Sequence, residues 1–345
     1  MIWVREEYAV IYKEETQTMS ERSTASPLLS AQNIEKHFLT KSALREKDRI
    51  YLKAVNNVSL EIYPGEALGL VGESGCGKST LGRCLLRLYD ITSGSILWKG
   101  DPIEGLSFRQ MRPYRQKMQM IFQDPYSSLN PRMTILQSVI APLNVFRIGT
   151  KEERAQKAAA LLSYVGLEEN QIHKYPHEMS GGQRQRAVIA RAMILDPEFV
   201  VCDEPVSALD ASVRAQVLNL MRQIQQDMGP AYLFISHDLS VVRYICDRVA
   251  VMYLGQIVEI GTKEQVFEDP AHPYTKALLS AIPIPDIGVK SERIVLSGDV
   301  PSPLSPPEGC RFHTRCPYAC EGCRNAEPQL RDIGGGHLVS CLSLP

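Results

Sequence analysis

The chain has 345 residues, 44% of them hydrophobic and 22% charged, an ordinary composition for a soluble globular protein of about two domains. Lys and Arg number 38 against 39 Asp and Glu, a net charge of -1, which argues against the basic face of a dedicated nucleic-acid binder. No apolar run reaches the roughly 18–20 residues of a membrane span, and Met1–Thr18, with Glu6, Glu7, Glu14 and Glu15, lacks the apolar core of a signal peptide.

Residues 1–28 are polar and irregular and are expected to form a flexible leader, with Met19 a second candidate start. From Leu29 to about residue 265 short apolar strands alternate with helical patterns, the signature of an α/β domain. Ala67–Val71 reads as a buried strand, followed by a helix with Leu81, Cys84, Leu85 and Leu88 on one stripe. The stretch from about 114 to 195 carries helical periodicity (Ala155, Ala158, Ala159, Leu162, Val165) and almost no strand signal, so a helical subdomain is expected there. Phe199–Cys202 and Tyr232–Ile235 are further buried strands, separated by a helix that Gly229-Pro230 stops. Val249–Tyr253 and Ile257–Ile260 read as a hairpin. Residues 266–345 shift to Pro, Gly and Cys, with prolines at 283, 285, 301, 303, 306 and 307, and read as a loop-rich extension.

Gly72-Glu73-Ser74-Gly75-Cys76-Gly77-Lys78-Ser79 fits the phosphate-binding pattern G-x-x-x-x-G-K-[ST] and lies between a strand and a helix, the context that pattern needs. Backbone N–H groups and the helix N-terminus cradle phosphates there; Lys78 reaches the terminal phosphates and Ser79 ligates Mg²⁺. Asp203, at the end of a buried strand, suits Mg²⁺, and Glu204 suits polarising a water. Ser180, Gly181, Gly182 and Gln183 form a turn that precedes a helical stretch, Arg184–Leu195, and are a second candidate anion cradle. His237 and Gln123 each follow an apolar segment. Neither is readable alone.

Taken in order, these motifs resemble the nucleotide-binding subunits of ATP-binding cassette (ABC) transporters. Ala67–Thr80, Gln123–Thr134, Tyr175–Gln185, Asp203–Asp210 and His272–Thr275 look more narrowly like the ATP-binding subunits of oligopeptide/dipeptide importers, with Met179 in place of the more usual Leu or Phe. The resemblance implies a P-loop ABC ATPase core with a helical subdomain and a Cys-containing C-terminal extension. Its cofactors would be ATP and Mg²⁺. Gly72, Ser74, Gly75, Cys76, Gly77, Lys78, Ser79, Thr80 and Gln123 would bind nucleotide, with Phe38 stacked on adenine. Ser79, Gln123 and Asp203 would surround Mg²⁺. Glu204 would be the general base and His237 would contact the γ-phosphate. The Ser180–Gln183 turn would serve the nucleotide of a facing subunit.

The implied partners are a second, similar ATPase, with a heterodimer favoured over a homodimer, two membrane permease subunits and an extracytoplasmic binding protein. The implied place is the cytoplasmic face of the cell membrane, with no nucleic-acid partner expected. Nickel or sugar transport, and a soluble non-transport ABC ATPase, are the competing readings.

Cys310-x5-Cys316-x6-Cys323-x17-Cys341, with Cys320 as an extra, is a set of soft ligands in a loop-rich segment. Four thiolates suit Zn²⁺ or an iron–sulfur cluster, and spacing does not choose between them. The resemblance favours a [4Fe–4S] cluster. A tail acting as a redox or metal sensor is a third reading.

Overall fold

The computed structural model describes residues 26–41, 50–282 and 294–344. Residues 1–25 of the expected leader, Met19 included, and Pro283 and Pro285 lie outside the described residues. The chain divides into two compact units: Tyr63–Glu66 with Leu106–Leu233, and Pro27–Ile62, Ala67–Gly105 and Phe234–Pro345 together.

The second of these opens with β1 (Leu29–Lys41) and β2 (Ile50–Ile62), two 13-residue antiparallel strands paired from Leu29↔Ile62 to Lys41↔Ile50. Their register shifts several times, once between Ala31 and Ile34, where Asn33 takes a positive φ of 50°. Asn tolerates that conformation, and the resulting bulge breaks the two-residue alternation that would have exposed the strand in the sequence. The strand β3 (Ala67–Val71) is buried throughout and leads through the glycine-rich loop into α1 (Lys78–Leu85). The helix ends at Leu85, so Leu88, expected on its apolar stripe, lies past the end and is exposed. β4 (Ser93–Trp98) and β5 (Asp101–Pro102) complete a four-stranded antiparallel sheet in the order β2-β1-β4-β5.

In the other unit a short helix, Arg112–Lys117, leads into β6 (Met118–Ile121), parallel to β7 (Phe199–Asp203) with Met118↔Phe199 and Ile121↔Cys202 in register. β6 falls inside the stretch expected to be helical. Gln119 interrupts its short apolar run, which left no strand signal. Helices follow: α2 (Ile135–Phe146), α3 (Lys151–Tyr164), α4 (Gly181–Met193) and, after β7, α5 (Ala211–Met228). α2, α3 and α4 each start with a reciprocal capping box, Thr134/Gln137, Thr150/Glu153 and Ser180/Gln183. α3 buries Ala158, Leu161 and Leu162, close to the expected stripe. Gly229 closes α5 in the left-handed conformation that a helix C-terminus favours.

The chain passes between the units within β8 (Ala231–Ile235), all of whose residues are buried. In the second unit α6 (Leu239–Ile245), β9 (Arg248–Tyr253) and β10 (Gln256–Thr262) follow. β9 pairs parallel with β3 and antiparallel with β10, and the expected hairpin turns at Leu254 and Gly255, both with positive φ. α7 (Lys263–Glu268) and α8 (Pro273–Ser280) lead to the extension. There β11 (Arg331–Asp332) pairs with β12 (Leu338–Val339), which adds antiparallel to β10. Among the described residues no helix is long and apolar enough to cross a membrane.

Candidate functional site

The phosphate-binding loop lies wholly in the second unit. α1 begins at Lys78 with Gly77 as its cap, at φ 107° and with no side-chain hydrogen bond to the first N–H groups. A Cβ on Gly77 would stand 2.1 Å from the Ala54 carbonyl oxygen, so only glycine fits there. The hairpin tip braces the same loop: the Gly255 N–H donates to the Cys76 carbonyl at 2.8 Å. Lys78 is buried, and its Nζ donates to the carbonyl oxygens of Gly72 (2.7 Å) and Glu73 (2.9 Å). The ammonium is thereby folded over the loop whose N–H groups would take phosphate oxygens. Burial pushes the Cys76 thiol up, so it stands beside Lys78 as a neutral group. Ser79 and Thr80 follow on the first turn of α1 and are partly exposed, whereas Ser74 and Gly75 are exposed.

Glu73 is anchored as well, by side chains that sequence reading passed over. Its N–H donates to the Tyr274 hydroxyl at 3.0 Å, and its carboxylate accepts both terminal nitrogens of Arg315 at 2.9 and 3.2 Å. Tyr274 belongs to the His272–Thr275 segment that carried part of the resemblance. Nothing marked Arg315, which lies 242 positions from Glu73.

Phe38 and His237 belong to this unit too. The Phe38 ring meets Tyr89 edge-on at 5.7 Å, and the Lys36 ammonium stands 4.9 Å from its centroid. His237 is exposed, just ahead of α6, whose N-terminus Asp238 caps by accepting from the N–H groups of Ser240 and Val241.

The acidic motif lies in the other unit. Asp203 ends β7 and is 2% exposed; Glu204 follows with φ 47°, a left-handed conformation that a non-glycine residue adopts at a cost of about 1–3 kcal/mol. The parallel register continues past the strands. Gln123 is two residues beyond Ile121, Glu204 is two beyond Cys202, and Gln123 Nε2 donates to Glu204 Oε2 at 2.8 Å. The sheet thus joins two residues that were singled out separately.

The Ser180–Gln183 turn is in the same unit as Gln123. The Ser180 hydroxyl accepts from the Gln183 N–H at 3.3 Å, and the Gln183 side chain accepts from the Ser180 N–H at 2.9 Å. Gly181 has room for a Cβ, 3.6 Å from the nearest Leu209 carbon, but one on Gly182 would stand 2.5 Å from Val213 Cγ1. The second glycine is therefore demanded by packing against α5. Met179 is buried, as a packing residue should be. Arg191 of α4 donates to the Ser128 carbonyl, and Arg184 stacks over Tyr126 at 5.5 Å, which ties this helix to the segment after Gln123.

In the extension Cys320 and Cys323 approach to 3.3 Å between sulfurs. Cys310 is pushed up to about 11, by burial first and then by the neighbouring Cys323, Cys316 and Cys341, so these thiols share one neighbourhood. Among the described residues no group of three or more His, Cys, Asp or Glu side chains is arranged to hold a metal ion.

Comparison with known proteins gives two family matches: ABC transporter over residues 55–207, and oligopeptide/dipeptide transporter, C-terminal region, over residues 258–323. The chain is 53% identical to a putative peptide import ATP-binding protein of Brucella ovis, over 92% of this chain and 98% of that one. It is 48% identical to the dipeptide transport ATP-binding protein DppF of Escherichia coli, over 94% of this chain and 96% of that one. Among solved structures it is similar to a dimeric post-hydrolysis ATP-binding cassette bound to ADP and phosphate. The TM-score is 0.61 and the identity 28%, and the match covers 68% of this chain and 98% of that one.

Proposed function

The chain belongs to the ATP-binding subunits of ABC transporters of the oligopeptide/dipeptide class, and from that membership we infer that it binds and hydrolyses ATP to energise peptide import. The observation that carries the hydrolytic part is the Gln123–Glu204 hydrogen bond beside the buried Asp203. It holds a carboxylate in a fixed orientation, as the base for an attacking water requires.

In this reading Gly72, Ser74, Gly75, Cys76, Gly77, Lys78, Ser79 and Thr80 enclose the phosphates and Phe38 supports the base. Ser79, Gln123 and Asp203 offer the hard oxygen donors that Mg²⁺ takes, and the ion supplies charge neutralisation at the β- and γ-phosphates. Glu204 accepts the proton of the attacking water and His237 contacts the γ-phosphate. Ser180, Gly181, Gly182 and Gln183 serve the nucleotide of a facing, similar but distinct ATPase subunit. Two permease subunits and an extracytoplasmic binding protein complete the complex, with this subunit peripheral on the cytoplasmic face of the membrane. Cys310, Cys316, Cys323 and Cys341 are the residues that would hold a [4Fe–4S] cluster or, as the second choice, Zn²⁺. Four soft thiols gathered in one segment suit that donor chemistry, although their sulfurs are not arranged as a metal site.

Uptake of labelled di- and oligopeptides by cells lacking this gene, complemented with wild type or Glu204→Gln, tests the function. Wild type should restore uptake. Glu204→Gln should leave it about 10²–10⁴-fold below wild type, the usual worth of a positioned base. Unimpaired uptake in the deletion strain would refute the peptide assignment, and full rescue by Glu204→Gln would refute the base.

A further inference from the structure

The nucleotide reading gives roles to Lys78 and Ser79 but none to Glu73, although Glu73 makes more anchoring bonds than its position in the motif requires. Its N–H donates to the Tyr274 hydroxyl, its carbonyl accepts from Lys78 Nζ, and its carboxylate accepts a two-pronged bond from Arg315. The Arg315 side chain is only 9% exposed and that of Glu73 28%. A planar guanidinium engaging both carboxylate oxygens fixes direction as well as distance.

The anchors themselves are closely packed. Tyr274 is fully buried, with the rings of Tyr253 and Phe312 at centroid distances of 4.7 and 5.4 Å. Arg315 lies three positions past Phe312 and stands 6.0 Å from the Tyr253 ring. A continuous path therefore runs from the extension, through Arg315 and Glu73, to the ammonium of Lys78.

We infer that Arg315 and Tyr274 are positioning residues for the phosphate-binding loop, acting through Glu73 to fix the carbonyl that orients Lys78. The inference rests on the nucleotide reading above. A loop containing three glycines loses much conformational freedom when it closes around phosphates. Tethering Glu73 by both backbone and side chain removes part of that freedom beforehand, which favours binding without altering the chemical step.

The test is the Kd of a fluorescent ATP analogue with Mg²⁺ for the full-length chain. Wild type is compared with Arg315→Ala, Glu73→Gln, their double variant and Tyr274→Phe. Limited proteolysis of the extension runs in parallel. Each single change at the ion pair should weaken binding about tenfold, the equivalent of one charge-assisted hydrogen bond. The double variant should be no weaker than either single one, because both remove the same tether. Tyr274→Phe should weaken binding by a smaller factor. Affinities within about twofold of wild type for Arg315→Ala and Glu73→Gln would overturn the inference, as would additive losses. So would an extension exposed to protease in Arg315→Ala with affinity unchanged, since the tie would then serve the tail alone. Should Arg315→Ala not fold, Glu73→Gln decides, because it breaks the pair from the more exposed end. Absence of binding by wild type would instead overturn the nucleotide reading, and this inference with it.

Discussion

Glu204 shows how function bends local rules. A non-glycine residue at φ 47° is disfavoured, yet the loop after the parallel neighbour strand supplies Gln123 to hold it. His272 shows a similar trade in the second unit. It is 2% exposed, and its Nδ1 accepts from the Tyr274 N–H at 3.1 Å. The adjacent Glu259 takes the N–H groups of Ala271 and His272 and the ring nitrogen of His337. Burial pushes His272 down to about 3. In the unfolded chain the same ring gains a proton below about pH 6.5. Between those values the unfolded state binds more protons. The stability from a neutral His272 is thus complete above pH 6.5 and drains away as pH falls, by about 1.4 kcal/mol per unit. Thermal melts from pH 7.5 to 4.5 should therefore fall more steeply for wild type than for His272→Asn, which keeps a helix-capping side chain. Parallel slopes would show that the ring is free to protonate in the folded protein.

At the scale of elements, what the sequence disclosed depended on range. Motifs confined to a strand, a loop and a helix start were legible: β3 into α1 and the end of β7 lie where spacing placed them, while α4 starts at Gly181, inside the turn expected to precede it. β6 was not, because four residues with one polar interruption carry no period, and only pairing with β7 makes them a strand. The contact between Gln123 and Glu204 follows from that pairing and so was equally hidden. Gly182 was legible as a glycine but not for its reason. Spacing suggested an anion cradle, whereas the structure adds a steric demand from Val213 on α5. Val213 is β-branched and stiff, so a Cβ at position 182 must part the two helices. Gly182→Ala should cost about 1–3 kcal/mol in urea denaturation, and Val213→Ala in the same chain should recover most of it. If Gly182→Ala were as stable as wild type but inactive, the glycine would be required by nucleotide and not by packing.

Over the whole molecule, the extension is the part that composition described least well. Proline and cysteine content predicted loops, and loops dominate, but β12 adds to β10 and the segment is tied down by polar side chains. Arg315 reaches Glu73, His337 reaches Glu259, and Arg311 donates to the Leu254 carbonyl. None of these pairings leaves a trace in local sequence, since each joins residues far apart. Apolar support is thin: among the described residues from 294 onward the buried apolar or thiol side chains are Phe312, Cys323, Val339 and Cys341. A segment with so small a core usually depends on a staple, a disulfide or a metal. In the proposed reading the thiols of Cys310, Cys316, Cys323 and Cys341 would supply that staple by holding a metal. Anaerobically purified protein should then contain about four iron atoms per chain and absorb in the visible range, as a [4Fe–4S] centre does. Cys316→Ser and Cys341→Ser should each lower the iron content and expose the extension to protease. One zinc per chain would keep the staple and replace the cluster. Neither metal at stoichiometric level, with the extension still protected, would show that the arginine and histidine ties hold the segment unaided.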